Sequence, residues 1–256
     1  MLEISKSSLV AVDKLRTAYL NSLPFFQEIW LEFLIMDAGC YDILFNNRKA
    51  GYAIVSPENI LLEFFLEKDA DVNYAQAFQL VTENLHIKII YCKSFDKDLF
   101  SHCSWLQLER KIVGYMYREC TETEVPQSTL SNRYADMDDL DFLAAQDDEV
   151  FEPKELLPSM IDKKSIILFY ENDIIAACGF LTRIHENRKY YDIGMWVSQA
   201  FRRKGYGNYV FAFLKNHCIS NHIVPVCGCS ADNKISKKII ENNGYTSRHE
   251  LIEFNV

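Results

Sequence analysis

The strongest constraint on how this chain folds is that one order of segments occurs twice in its 256 residues. In each half a helical start leads to a hairpin, a strand, a helix, a strand, a helix and a closing strand. In the first half Leu9, Val12, Leu15, Tyr19 and Leu23 recur at helical steps, and Pro24 ends that run before an aromatic-rich stretch, residues 25–33. Residues 41–45 and 51–55 flank Asn46-Asn-Arg-Lys as a hairpin. Residues 60–66 read as a strand, 73–85 as a helix, 86–91 as a strand, 97–103 as a short helix and 111–117 as a strand. The second half begins with helices over 136–146 and 152–161, then a hairpin of 165–170 and 174–180 around Glu171-Asn-Asp. A strand at 190–197, a helix at 207–220, a strand at 223–227, a helix at 236–242 and a strand at 249–254 complete it. Between the halves, residues 121–130 carry charge, Pro126 and hydroxyls but little that packs, which places a linker there. The expected division is residues 1–126 and 127–256.

Composition narrows the function classes. With 49% hydrophobic and 25% charged residues the chain reads as a soluble globular protein. A net charge of −9 without a basic stripe argues against a nucleic-acid partner. No apolar run has spanning length and the start lacks a signal peptide's pattern, so no membrane is expected and a cytoplasmic location is. The eight cysteines are scattered through apolar segments, as reduced, buried thiols would be. Cys227 and Cys229 lack the spacing and second ligand pair of a zinc site, and no metal is expected.

The chemistry concentrates where the strand ending at Val197 turns through Arg202-Arg-Lys-Gly-Tyr-Gly207 into a helix. A helix N-terminus offers free N–H groups in a field that favours anions, and Arg202, Arg203 and Lys204 add positive charge. A phosphate site and a tight strand-to-helix connection both fit that spacing. A second block follows, Asn233-Lys-Ile-Ser-Lys-Lys-Ile-Ile-Glu-Asn-Asn-Gly-Tyr245, opening another helix after a strand. Arg202, Gly205 and Gly207, with Asn233, Ser236, Ile239, Gly244 and Tyr245, resemble the two motif blocks of the GCN5-related N-acetyltransferase (GNAT) family over roughly residues 129–256.

That resemblance implies an α/β (α+β) fold: two tandem acyl-coenzyme A N-acyltransferase-like domains with mixed, mostly antiparallel sheets flanked by helices. It implies acetyl-coenzyme A as co-substrate and an amine, of unstated identity, as acceptor. The N–H groups from Arg203 through Gly205, Tyr206 and Gly207 to Asn208 would hold the pyrophosphate. Trp196 and Val197 would pair with the pantetheine arm, and Asn233, with Ser236 near it, would contact the same arm. The family's usual acid, a tyrosine seven residues after that Asn, is Ile240 here, so a non-catalytic acyl-coenzyme A sensor or partner-binding protein stands as the alternative. Asp192 is the only carboxylate on the strand before the turn and is the candidate base; by alternation it shares a face with Gly194 and Trp196. His249 and Glu250 open the last strand, where the family's substrate cleft can be lined. In the first half the corresponding turn, Leu66-Glu-Lys-Asp-Ala-Asp-Val72, has three acids and no glycine, so residues 1–126 read as a degenerate copy without a phosphate site.

Overall fold

A computed structural model describes residues 1–27, 29–185 and 189–256; Glu28, within the aromatic-rich 25–33 stretch, lies outside them. The chain forms two compact units that are not consecutive halves. Residues 1–115, 230–232 and 249–256 make the first, and residues 116–229 and 233–248 the second.

The first unit carries strands β1 (Leu2–Ser7), β2 (Gly39–Phe45), β3 (Arg48–Val55), β4 (Ile60–Leu66) and β5 (Ile89–Lys93), adjacent in that order. Its helices are α1 (Leu9–Ser22), α2 (Ile29–Met36), α3 (Tyr74–Asn84) and α4 (Lys97–Trp105). Strands β1 to β4 pair antiparallel. Strands β4 and β5 are parallel, paired at Ile60↔Ile89 and Leu61↔Ile90, and then part. Phe64, Phe78, Val81, Ile90 and Leu99 fill the apolar core.

A polar seam runs beside that core. Helical spacing puts Arg16 on the same face of α1 as Val12, Tyr19 and Leu20, all buried. Its guanidinium donates to Glu63 at 3.0 Å from both Nε and Nη2, and to Glu32 at 2.8 Å. Glu63 is fully buried on β4 and also accepts from the Tyr52 hydroxyl at 2.8 Å. Buried Lys93 donates to Gln27 at 3.0 Å. Burial alone would raise the pKa of Glu63, but Arg16 and Lys93 hold it below its ordinary value.

Strand β6 (Arg110–Cys120) passes from the first unit into the second. There follow β7 (Ser131–Tyr134), α5 (Leu140–Ala144), α6 (Leu157–Asp162), β8 (Ile166–Glu171), β9 (Ile174–Arg183) and β10 (Tyr190–Val197). Then come α7 (Tyr206–Ser220), β11 (Val224–Ser230), α8 (Lys234–Asn242) and β12 (Tyr245–Asn255). Strands β7 to β11 are again adjacent in order, antiparallel through β10. Strand β12 begins in the second unit, and its residues Leu251 to Asn255 pair antiparallel with Lys93 to Ile89 of β5 in the first.

Several elements differ from the sequence reading. Strands β1 and β7 extend the pattern at the start of each unit, and all four residues of β7 are exposed, so no alternation marks it. Its end is held by Arg133, whose guanidinium grips Asp139 through two 2.7 Å hydrogen bonds. The helix expected over 136–146 is a 3-10 turn, Met137–Asp139, followed by the short α5. Residues 121–130 form no helix or strand, but their start is tied down. Lys215 of α7, wholly buried, donates to the Thr121 carbonyl at 2.8 Å, to Thr123 Oγ1 at 2.7 Å and to the Asn243 carbonyl at 2.7 Å. A lysine in an apolar helical run thus supplies the donors that a segment without secondary structure needs. All eight cysteines are free and six are buried; burial pushes the Cys103 and Cys218 thiols up to about 12.

Candidate acyl-donor site

In the second unit, β10 and β11 pair in parallel only at Tyr190↔Val224, Tyr191↔Pro225 and Asp192↔Val226. Pro225 has no N–H to give to a ladder, and beyond Asp192 the strands part. The other edge of β10 stays paired with β9 to its end, through Trp196↔Cys178 and Val197↔Ala177. One edge of residues 193–197 therefore faces an opening between two strands. Trp196 and Val197 are half-buried there. The Trp196 ring packs on Phe151 at 5.4 Å and Phe142 at 6.4 Å, which fixes the end of the strand.

The turn that follows has an unusual backbone. Arg203 (φ 66°) and Gly205 (φ 84°) both adopt left-handed backbone conformations, which turns successive N–H groups toward one side. Gly205 is the N-cap of α7, and no side chain caps that helix. A Cβ built on Gly205 meets nothing within 4 Å, so its surface is open. The leading N–H groups of α7, at Tyr206, Gly207 and Asn208, thus meet the requirements of an anion site. Gly207 has a different reason: a Cβ there would press on Ile239 Cδ1 of α8 at 3.1 Å and Met195 Cε of β10 at 3.5 Å. It lets α7 start tight against the strand and α8.

The three cations of the turn are not equivalent. Arg202 is exposed and its Nε donates back to the Val197 carbonyl at 3.1 Å, stiffening the strand end. Arg203 is exposed at the left-handed position. Lys204 pairs with Glu171 at 2.8 Å, and the Tyr206 hydroxyl donates to the same carboxylate. The hydrogen bonds from Lys204 and Tyr206 keep the Glu171 carboxyl below its ordinary pKa. Glu171 closes the β8–β9 hairpin, 33 residues before Lys204 in the chain, and sequence reasoning saw only its turn. Glu171→Gln removes a carboxylate from the rim and frees Lys204. Acetyl-coenzyme A affinity should rise a few-fold at low salt, measured by calorimetry, with the gain shrinking as salt is added.

The second motif block is also in place. Asn233 caps α8, its Oδ1 accepting from the Ser236 N–H at 3.0 Å, which turns the side chain's oxygen to the helix and leaves its amide NH2 as the donor a ligand could use. Ser236 is half-buried in the first turn. Asn243, the C-cap of α8, donates from its side-chain amide to Asn208 Oδ1 of α7 at 3.4 Å, joining the two helices. Ile240 is 3% exposed and belongs to the core. Asp192 is half-buried in the paired part of β10, opposite Thr182 and Val226. Gly194, two residues on, faces Val150 and Trp196 faces Phe151, so Asp192 lies on the β10 face that those side chains cover.

His249 and Glu250 do not join this unit, contrary to expectation. They belong to the first unit, where the His249 ring packs on Phe25 at 4.2 Å and Phe95 at 5.4 Å, and the Glu250 N–H donates to Ser94 Oγ at 2.9 Å. The corresponding helix start of the first unit is closed by its own residue: the Asn73 side chain caps α3, accepting from Gln76 at 3.0 Å. Among the described residues no group of three or more His, Cys, Asp or Glu side chains is placed to hold a metal ion, and no helix is long and apolar enough to cross a membrane.

Each unit thus has a run of antiparallel strands leading to a parallel pair that splits, flanked by helices, which is the fold of acyl-coenzyme A N-acyltransferases. Family comparison agrees twice over: residues 8–120 match "Acetyltransferase (GNAT) domain" and residues 131–245 match "Acetyltransferase (GNAT) family". The chain belongs to the GNAT acetyltransferases and carries two such domains in tandem. Among solved structures it is similar to a GNAT-family acetyltransferase from Colwellia psychrerythraea, at 20% identity and TM-score 0.86 with 99% of each chain covered. It is also similar to a tandem GNAT protein from the clavulanic acid biosynthesis pathway, at 9% identity and TM-score 0.62 over 100% of this chain and 98% of that one. A GCN5-related N-acetyltransferase from Sphaerobacter thermophilus aligns at 8% identity and TM-score 0.57, covering 98% and 94%. These likenesses concern the fold. No curated protein matches the chain. At the family level the activity is acyl-coenzyme A-dependent N-acyl transfer, with acetyl-coenzyme A as co-substrate.

Proposed function

We propose that residues 127–256 hold the one acyl-donor site of the chain and transfer acetyl from acetyl-coenzyme A to a primary amine by direct attack. The observation that carries this is the uncapped start of α7 behind open Gly205, at the mouth of the β10–β11 split. The backbone from Arg203 to Asn208 would bind the pyrophosphate, with Arg202 and Arg203 adding charge and Lys204 joining once released from Glu171. The free edge of Trp196 and Val197 would pair with the pantetheine amides, and the Asn233 amide NH2 with the same arm. Residues 1–126 would carry no donor: acids replace the glycines after β4, and Asn73 occupies the helix start.

In this reaction the neutral amine attacks the thioester carbonyl carbon, the C–S bond breaks, and the nitrogen's extra proton and the sulfur's negative charge must both be disposed of. Asp192, the one carboxylate of β10, would take the ammonium proton through water. Ile240 has no proton to give, so the thiolate would be protonated from water or from the departing amine proton. Asp192→Asn should lower kcat at least about tenfold with little change in donor affinity, read from thiol release; an unchanged kcat removes Asp192 from the mechanism.

The second reading is a sensor that binds the donor and turns nothing over, favoured by the burial of Ile240 in the acid's usual place. Calorimetry with acetyl-coenzyme A tests the site, and free-thiol release across a panel of amines separates the readings. Tight binding with no turnover selects the sensor.

A further inference from the structure

We infer that Cys229 is the acid of the proposed acyl transfer, its thiol giving a proton to the sulfur of the departing coenzyme A. This rests on the reading of the second unit as the donor site, and it supplies the proton that Ile240 lacks. Strands β10 and β11 are last paired at Asp192↔Val226. Three residues further along each strand come Met195 and Cys229, which at about 3.3 Å of rise per residue stand level on the two walls of the opening. Paired residues of parallel strands project to the same face, and alternation carries that along each strand. Val226, Gly228 and Ser230 therefore share the Asp192 face, and Cys227 and Cys229 share the face of Met195. That second face is the one α7 covers, since Met195 Cε lies 3.5 Å from a Cβ built on Gly207. A donor held at the start of α7 would bring its sulfur into the opening from the Cys229 side, while Asp192 serves the other side. Cys227 is 1% exposed, whereas Cys229 is half-buried and within reach of a ligand.

A second group stands behind the same thiol. Tyr117 of β6 is fully buried, and its hydroxyl has no oxygen or nitrogen partner. Burial, and next the neighbouring Cys229, raise its pKa, so it stays protonated and donates toward the sulfur. A phenol O–H so placed stabilises the thiolate left when Cys229 gives up its proton. In the step itself the amine nitrogen bonds the carbonyl carbon and the C–S electron pair goes to the coenzyme sulfur, which takes the Cys229 proton. Water restores that proton while the nitrogen's proton leaves through Asp192, so one proton is gained and one lost. Water remains the final source, with Cys229 as its relay.

The test uses the intact chain and coenzyme A disulfide. The Cys229 thiolate attacks one of its sulfurs, a Cys229–S–S–coenzyme A bond forms, and one coenzyme A leaves as thiolate. Peptide mass spectrometry should place the adduct on Cys229 and not on Cys120, the other half-buried thiol. Desulfo-coenzyme A should suppress the adduct and Gly205→Glu should lose it. Cys229→Ala should lower kcat about tenfold or more with donor affinity unchanged in calorimetry. Tyr117→Phe should lower kcat a few-fold, again without a change in donor affinity. Coenzyme A that binds without marking Cys229, or a Cys229→Ala protein with the parent's kcat, overturns the acid and leaves the donor site standing. No coenzyme binding at all overturns the donor site and the acid with it, and binding without turnover by the parent selects the sensor and removes the acid.

Discussion

Gly205→Glu should abolish acetyl-coenzyme A binding, with a loss of about a hundredfold or more measured by calorimetry on protein whose circular dichroism is unchanged. The substitution places a carboxylate at the uncapped start of α7, where the diphosphate is expected to lie, and like charges there repel strongly. Gly205→Ala is the matched control. Nothing lies within 4 Å of its added Cβ, so the residue meets only the cost of a left-handed backbone, about 1 kcal/mol of stability. It should bind the donor nearly as well as the parent. Unchanged affinity in a folded Gly205→Glu protein would remove the donor turn from the site.

Glu63→Leu should cost about 3–5 kcal/mol in urea unfolding, the largest stability loss expected from one substitution in the first unit. It strands the buried Arg16 guanidinium, which keeps only Glu32, and leaves the Tyr52 hydroxyl without its acceptor. Adding Arg16→Met should recover part of the loss, because an apolar pair tolerates burial better than a lone cation. A pH effect follows with a definite sign. The folded pKa of Glu63 lies below its unfolded value, so its contribution is fully present above the unfolded pKa, about 4.3. It is lost as pH falls through the lower folded value, and Glu63→Leu should flatten the acid limb of the stability profile. A loss under about 1 kcal/mol would mean that the seam does not anchor the unit.

The glycine turn before α7 was legible because everything that builds it is local: a strand end, two glycines and a helix start within a few residues, then a second block of fixed spacing. The hairpins and β4 were legible for the same reason. What long-range pairing decides was not. Glu171 meets Lys204 and Tyr206 only because the β8–β9 hairpin brings it there. Arg16, Glu63, Lys93 and Gln27 come from four segments, and nothing in each segment announces a partner. Edge strand β7 escaped because Ser-Asn-Arg-Tyr is exposed along its whole length and takes its geometry from pairing with β8. His249 was assigned by sequence order to the second half, whereas β12 changes unit at that residue.

The division of β12 has a consequence for biosynthesis. The first unit is made first but finished last, because the strand that pairs with β5 is residues 251–255. Until those residues are made, β5 presents an open row of backbone donors and acceptors, the kind of edge that recruits foreign strands. A nascent or prematurely terminated chain would therefore carry its lesion at the opposite end of the sequence from the cut. The first unit, more than the second, is the part for which a chaperone has reason to wait.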